Sequence, residues 1–105
     1  MSNEDLYTQF DNVFFEKTRL SMMTMLFKEE KVSFNRFKNV IGGSDGAIYS
    51  HLQKLINAGY ISFKKEIALE TVQSVYSLTG EGTELFKKYL TFLENTLLRQ
   101  KKEEK

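Results

Sequence analysis

The stretch GGSDGAIYSHLQKLINAGYI, residues 42–61, decides the fold of this chain. It begins with two glycines, and glycine tolerates the positive φ angle that is common where a helix ends. Ser44 is then a good N-cap for a new helix, and the charge of Asp45 in the first turn complements the helix dipole. Gly59 is expected to end this helix. The stretch therefore predicts a tight turn and one helix over about residues 44–58.

The two faces of this predicted helix differ in character. Its apolar residues recur at the spacing of a single narrow stripe, which is formed by Ile48, Leu52, Leu55 and Ile56. The opposite face carries small, hydrogen-bonding or cationic residues, namely Gly46, Ala47, Tyr49, Ser50, Gln53, Lys54 and Asn57. The stripe indicates packing on a core. The outer face leaves two interpretations open, an ordinary solvated surface or a surface that contacts a partner.

The flanking segments predict further helices and one small hairpin. Apolar spacing indicates one helix over about residues 5–28, allowing a break near residues 16–18, then a very short strand at Val32 and a helix that Ser33 caps. After Gly59, polar and apolar residues alternate in two adjacent segments, which predicts a two-stranded hairpin. Thr79 is expected to cap a final long helix. That last helix, about residues 81–99, carries a broad apolar surface that includes Leu85, Phe86, Tyr89, Leu90, Phe92, Leu93 and Leu97.

Length and composition bound the class of protein. With 105 residues, 41% of them hydrophobic, and no proline, the chain predicts one domain over residues 1–105. It lacks the roughly 18 consecutive apolar residues of a membrane span and the pattern of a signal peptide, so we expect a cytoplasmic protein without a membrane partner. The sequence has no cysteine and one histidine, which predicts no metal site and no cofactor. Without a phosphate-cradling glycine motif or a nucleophile with its base, we expect no enzyme activity.

Charge is distributed unevenly along the chain, although the formal net charge is only +1. Residues 1–16 are acidic without any basic residue, whereas residues 33–65 contain five Lys and Arg residues against Asp45 alone. A net charge near zero does not by itself indicate a nucleic-acid partner. The local excess of positive charge indicates that the middle of the chain is where such a partner would bind.

Two short helices joined by a glycine turn and followed at once by a hairpin are typical of a winged helix-turn-helix, whose second helix enters the DNA major groove. We therefore predict a mainly α fold with a small β-hairpin (α+β). The outer face of the second helix would contact base edges, and the basic side chains that flank it would contact phosphates. The predicted DNA-binding residues are Ser44, Gly46, Ala47, Tyr49, Ser50, Gln53, Lys54, Lys64, Lys65 and Arg36.

Two longer segments resemble the compact winged-helix transcriptional regulators related to the MarR and ArsR groups. They are FNRFKNVIGGSDGAIYSHLQKLINAGYISFKK, residues 34–65, and VYSLTGEGTELFKKY, residues 75–89. The most specific parts are DGAIYSHLQKLINAGYI and the Y-x-LT-x-x-G pattern at Tyr76, Leu78, Thr79 and Gly82. The resemblance, over about residues 18–89, implies a homodimer that binds a pseudo-palindromic site in double-stranded DNA and controls transcription. It also implies a dimer interface formed by the terminal helices, about residues 5–28 and 80–100.

The wing departs from the pattern of these relatives. Their wing tips are often rich in arginine, whereas the tip here reads EIALETVQS, with Glu66 and Glu70. Acidic side chains repel phosphates. We therefore expect binding to depend on the helix and on the lysines of the wing strands rather than on insertion of the wing into the minor groove. The acidic wing also keeps an alternative open, a winged helix that contacts only proteins.

His51 is the one histidine in the sequence. His51 lies beside the apolar stripe rather than on the outer face, so a packed or cap-forming histidine is expected rather than a DNA contact or a pH switch. No pocket for a small-molecule effector is legible in the sequence.

Overall fold

The structure is a computed structural model that describes the backbone of residues 3–103 and the side chains of residues 6–100. Within these residues, five helices and three strands alternate as a winged helix-turn-helix, and this confirms the predicted α+β fold. In chain order they are α1 (Asn3–Gln9), α2 (Lys17–Glu29), β1 (Val32–Ser33), α3 (Phe34–Ile41), α4 (Asp45–Asn57), β2 (Ile61–Ala68), β3 (Thr71–Leu78) and α5 (Gly80–Glu103).

The prediction of one N-terminal helix over residues 5–28 is wrong, because turns at residues 10–16 separate α1 from α2. The Asp11 carboxylate accepts hydrogen bonds from the N–H groups of Val13 and Phe14, each at 2.9 Å. A short acidic side chain that bonds to nearby N–H groups competes with the helical bonds of the backbone. The break is therefore longer than the predicted one near residues 16–18, and apolar spacing did not reveal it.

The helix-turn-helix itself begins and ends where the sequence predicts. Ser33 and Ser44 cap α3 and α4, and their hydroxyl oxygens accept hydrogen bonds from the N–H groups of Arg36 and Ala47, each at 3.1 Å. Between the helices, Gly42 and Gly43 have φ angles of +82° and +89°, which side chains of L-residues rarely allow. The glycines therefore make the short turn possible.

The three strands form one antiparallel sheet in the order β1-β3-β2. Strand β1 pairs Val32 with Tyr76 and Ser33 with Val75, so the helix-turn-helix and the wing share a sheet. Strands β2 and β3 pair along their whole length and are joined by Leu69 and Glu70, whose φ angles are +51° and +68°. Positive φ at both central residues is the geometry of a type I′ hairpin turn. The wing tip is therefore this two-residue turn, and Glu66 lies three rungs back from it.

The start of α5 packs closely against the end of α4. The Thr79 hydroxyl accepts a hydrogen bond from the Gly82 N–H at 3.0 Å and donates one to the Gly59 carbonyl oxygen at 2.6 Å. A Cβ atom on Gly82 would lie 1.9 Å from the Tyr60 carbonyl oxygen. This contact explains why the Y-x-LT-x-x-G pattern requires glycine at its last position.

One hydrophobic core joins all of these elements, with α2 at its centre and aromatic rings from the N-terminal turns packed on α5. Its buried residues are Phe10, Phe14, Met22, Met23, Leu26, Val32, Phe37, Ile48, Leu52, Leu55, Ile61, Tyr76 and Phe86. Helix α5 continues four residues past the predicted end at Arg99. From Leu93 to the end of the described side chains, every residue of α5 is exposed.

Candidate nucleic-acid interface

Helix α4 presents the predicted DNA-binding face to solvent. Ile48, Leu52 and Leu55 are buried and fix the rotation of the helix on the core. Six of the seven candidates at Ser44 and in α4 are exposed, and the other, Gln53, is half-buried. The exposed ones are Ser44, Gly46, Ala47, Tyr49, Ser50 and Lys54. The helix thus offers small side chains at its start and hydrogen-bonding groups along the same exposed surface.

An ion pair stands at the start of this face. The Lys38 Nζ atom, in the last turn of α3, lies 2.7 Å from the Asp45 Oδ1 atom in the first turn of α4. Both side chains are exposed. Lys38 therefore offsets a carboxylate that would otherwise repel phosphates near the N-terminus of α4.

The two wing lysines lie on opposite faces of the hairpin, because successive side chains of a strand alternate. The Lys65 ammonium donates a hydrogen bond to the hydroxyl of Ser74, its cross-strand partner, at 2.8 Å. The Lys64 Nζ atom lies 3.3 Å from the Glu66 Oε2 atom on the other face. The two residues therefore occupy different surroundings, which their adjacent positions in the sequence do not reveal.

The face that carries Lys65 adjoins α3. Lys65 and Ser74 line a shallow pocket together with Phe34 and Asn35 of α3. Tyr76 and Ser74 share one face of β3. Burial raises the pKa of Tyr76, a hydrogen bond with Ser74 acts against this shift, and an electrostatic interaction with Tyr49 of α4 adds to it.

Glu66 is less repulsive to phosphates than its position in the sequence suggested. Hydrogen bonds from Lys31 and Lys64 lower the pKa of its carboxyl group, against a smaller effect of burial. The Lys31 Nζ atom lies 3.2 Å from the Glu66 Oε2 atom, on the face away from Lys65. Of the two acidic wing residues, only Glu70 lies at the tip itself.

Arg36 forms a forked pair within the protein. Its Nε and Nη2 atoms donate to the two carboxylate oxygens of Glu29, each at 3.1 Å. This pair raises the pKa of Arg36 and lowers that of Glu29. Because both groups are exposed, a phosphate can compete for the guanidinium, but Arg36 is not a free cation.

A buried arginine that the sequence interpretation missed contacts α4 from behind. Of the side chains that the structure describes, Arg19 is the buried charged one, at 7% exposure. Its Nη1 atom lies 2.8 Å from the His51 Nδ1 atom. His51 is thus a packed histidine, as predicted. No local pattern marks Arg19, because its partner lies 32 positions later in the chain.

Two apolar surfaces remain exposed beside these polar groups. One lies on the terminal helices and includes Tyr7, Leu90, Leu93, Leu97 and Leu98. The other lies at the end of the wing and consists of Ile67, Leu69 and Val72. Leu69 is 98% exposed, and it occupies the place where arginine was expected from the resemblance.

Two features are absent from the residues that the structure describes. No group of three or more His, Asp or Glu side chains placed to hold a metal ion occurs among the described residues. Over the same part of the chain, none of the helices combines the length and the apolar character needed to cross a membrane.

Comparison with known proteins agrees with this geometry. A family model described as a winged helix DNA-binding domain matches residues 18–97. An uncharacterized protein of Methanocaldococcus jannaschii is 28% identical over 78 residues, which cover 74% of this chain and 85% of that protein.

Solved structures share the fold over nearly the whole chain. A transcriptional regulator homologue from Pyrococcus horikoshii OT3 superposes with a TM-score of 0.76 and 25% identity, covering 90% of this chain and 94% of that one. A protein from Enterococcus faecalis V583, described as a transcriptional regulator of the MarR family, superposes with a TM-score of 0.71 and 18% identity, covering 98% and 94% of the two chains. The family match and the architecture together show that this chain belongs to the winged helix DNA-binding domain family of transcriptional regulators.

Proposed function

We propose that the protein is a sequence-specific regulator of transcription that binds double-stranded DNA as a cytoplasmic homodimer, with α4 in the major groove. The observation that carries this proposal is the exposed face of α4. Buried Ile48, Leu52 and Leu55 hold the helix, while small and hydrogen-bonding side chains face outward. A helix that enters the major groove must present such a face. The family match favours this function over a module that contacts only proteins.

The side chains on α4 divide by chemistry into two roles. Ser50 and Gln53 have both donors and acceptors, so we assign them to base edges, and a glutamine pairs well with adenine. Ser44, Gly46 and Ala47 allow the start of α4 to approach the DNA backbone closely. Lys54 contacts a phosphate in this proposal, and Tyr49 contacts either a phosphate or a base.

The wing contributes mainly through Lys65. Lys65 lies on the wing face next to α3, the first helix of the helix-turn-helix, and its hydrogen-bond partner is a neutral hydroxyl. Lys64 and Arg36 must break an ion pair with a carboxylate before they pair with a phosphate. We therefore expect Lys64 and Arg36 to contribute less to affinity than Lys54 and Lys65 do.

The homodimer rests on the apolar surface of the terminal helices. Leu90, Leu93 and Leu97 lie along one side of α5 and are between 40% and 57% exposed. A stripe of leucines at helical spacing packs well against its own copy around a two-fold axis. Two copies of α4 would then face two half-sites about one helical turn apart on the DNA.

Selection of bound fragments from genomic DNA, followed by fluorescence anisotropy on the selected site, tests the proposal. We expect Gln53→Ala and Ser50→Ala to reduce the preference for the selected site over random DNA by about ten-fold, since a good base contact is worth on the order of 1–3 kcal/mol. Lys54→Ala and Lys65→Ala should weaken binding to all sequences and reduce the dependence on salt.

Lys64→Ala is the matched control, because it removes the same charge from the opposite face of the wing. It should weaken binding less than Lys65→Ala does. If the unaltered protein at about 50 mM salt binds neither selected nor bulk DNA below roughly 10⁻⁴ M, the weak end of non-specific binding, the proposed function is wrong.

A further inference from the structure

Arg19 makes directional contacts with two separate parts of the molecule. Its Nε and Nη2 atoms donate to the carbonyl oxygens of Val13 and Asn12, at 2.7 and 3.2 Å, in the turns that follow α1. Its Nη1 atom lies 2.8 Å from the His51 Nδ1 atom in α4. One guanidinium thus joins the N-terminal turns to the helix that we assign to the major groove.

The contact with Arg19 defines the hydrogen-bonding role of the His51 Nδ1 atom. A guanidinium has only donors, so this atom is the acceptor. Glu16 also faces this pair, and its Oε1 atom lies 3.6 Å from Arg19 Nη1 and 3.7 Å from His51 Nδ1.

The N-terminal turns are themselves fixed on α5. The Phe10 ring packs edge-on against Tyr89 and Phe92, with centroids 5.6 and 5.9 Å apart, and the Phe14 ring packs against Phe86 and Tyr89. Arg19 therefore connects α4 with the same terminal helix that carries the exposed leucines. Apolar contacts between α2 and α4 are not directional, whereas a hydrogen bond restricts orientation.

We propose that Arg19, acting through His51, is a positioning residue that sets the orientation of α4 relative to α5 and so tunes DNA affinity. This inference rests on the proposed DNA-binding function. It assigns His51 a role in binding without contact with DNA.

The test measures affinity for the selected DNA at neutral pH for the unaltered protein, His51→Ala and His51→Gln. We expect His51→Ala to bind about five-fold or more weakly, the lower range of coupling between linked sites. His51→Gln should restore binding, because the glutamine carbonyl oxygen can accept from Arg19.

Two outcomes would overturn the inference. One is near-equal affinity of His51→Ala and the unaltered protein, and the other is a His51→Gln variant that binds as weakly as His51→Ala. Circular dichroism checks that each variant is folded. Arg19→Lys keeps the charge but loses the guanidinium, which bonds to two parts of the molecule at once, so this variant should bind as weakly as His51→Ala. If none of the proteins binds DNA, the proposed function fails rather than this inference alone.

Discussion

Among the glycines, Gly82 has the least room for an added Cβ atom. A Cβ atom there would meet the Tyr60 carbonyl oxygen at 1.9 Å, so either α5 or the end of α4 must move. We expect Gly82→Ala to lower the free energy of unfolding by about 2–3 kcal/mol, as overpacking in a filled core does. Urea unfolding followed by circular dichroism measures this change.

Gly46→Ala is the matched control for that substitution. No atom lies within 4 Å of a Cβ on Gly46, and the residue is exposed in α4. Alanine should raise the free energy of unfolding there by about 0.5 kcal/mol, because it costs less backbone entropy in a helix. Equal stability of Gly82→Ala and the unaltered protein would contradict the close approach of Tyr60.

Tyr60 makes stability depend on alkaline pH. Burial, together with the hydrogen bond that its hydroxyl donates to Asp11, raises the pKa of Tyr60 to about 12. A raised pKa contributes stability that is complete below the unfolded value of about 10 and is lost as the pH rises through the folded value. Between about pH 10 and pH 12, the unaltered protein should therefore lose more stability than Tyr60→Phe does. Urea unfolding at several pH values provides the comparison, and parallel curves would refute the assignment.

The residues of the interface differ in how far sequence alone could identify them. Ser44, Tyr49 and Ser50 follow from local spacing, because a capping serine and an amphipathic helix fix which side faces outward. The contact of Arg19 with His51 and the pairing of Lys65 with Ser74 do not follow, because they depend on partners in other elements. Spacing along a chain reports the face on which a side chain lies but not the group that it meets there.

Among the elements, the wing hairpin has a turn that runs against the local preferences of its residues. Leu69 and Glu70 have φ angles of +51° and +68°, which asparagine and glycine adopt at far lower cost. The double variant Leu69→Asn, Glu70→Gly should raise the free energy of unfolding by about 1 kcal/mol. Chemical denaturation tests this, with Glu70→Ala as a control that keeps the unfavourable backbone and should show no such gain. A double variant that is no more stable than Glu70→Ala would show that the turn is not type I′.

Most of the elements were predictable, and the exceptions have a common cause. Serine and threonine caps with glycine stops located α3, α4 and the start of α5, because these signals lie within a few residues of each helix end. The break between α1 and α2 was predicted too late in the chain, near residues 16–18, because Phe10 and Phe14 keep helical spacing while they enter the core from a turn. Apolar periodicity indicates which residues are buried. A turn whose aromatic rings are buried can therefore show the same spacing as a helix.

The whole molecule is extended in a way that a single compact domain does not explain. Its radius of gyration is 15.9 Å, against about 13 Å for a compact chain of this length. Its extents are 59 × 26 × 23 Å. Leu90, Leu93, Leu97 and Leu98 are exposed along α5. An elongated shape with an apolar stripe is what one half of a dimer should show.

Leu93→Asp tests the dimer proposed from this shape. A charge in the centre of the leucine stripe should convert the protein to a monomer at micromolar concentration, since an unpaired buried charge is costly. Analytical ultracentrifugation measures the state, and affinity for a two-half-site DNA should fall about a hundred-fold as the avidity of the linked sites is lost. Asn95→Asp, on the opposite side of α5, should leave the dimer intact. An unaltered protein that sediments as a monomer at high concentration would remove the two-half-site proposal.

The two residues of β1 divide the wing into an inner and an outer part. At Val75 and Tyr76 the sheet has three strands and rests on the core, whereas the rungs from Lys65–Ser74 to the tip have two strands and side chains that are exposed or half-buried. Backbone amides of the outer rungs should exchange their hydrogens through local fraying, while those at Val75 and Tyr76 exchange only when larger units open. We therefore expect the tip of the wing to move about β1 while α3 and α4 remain in place.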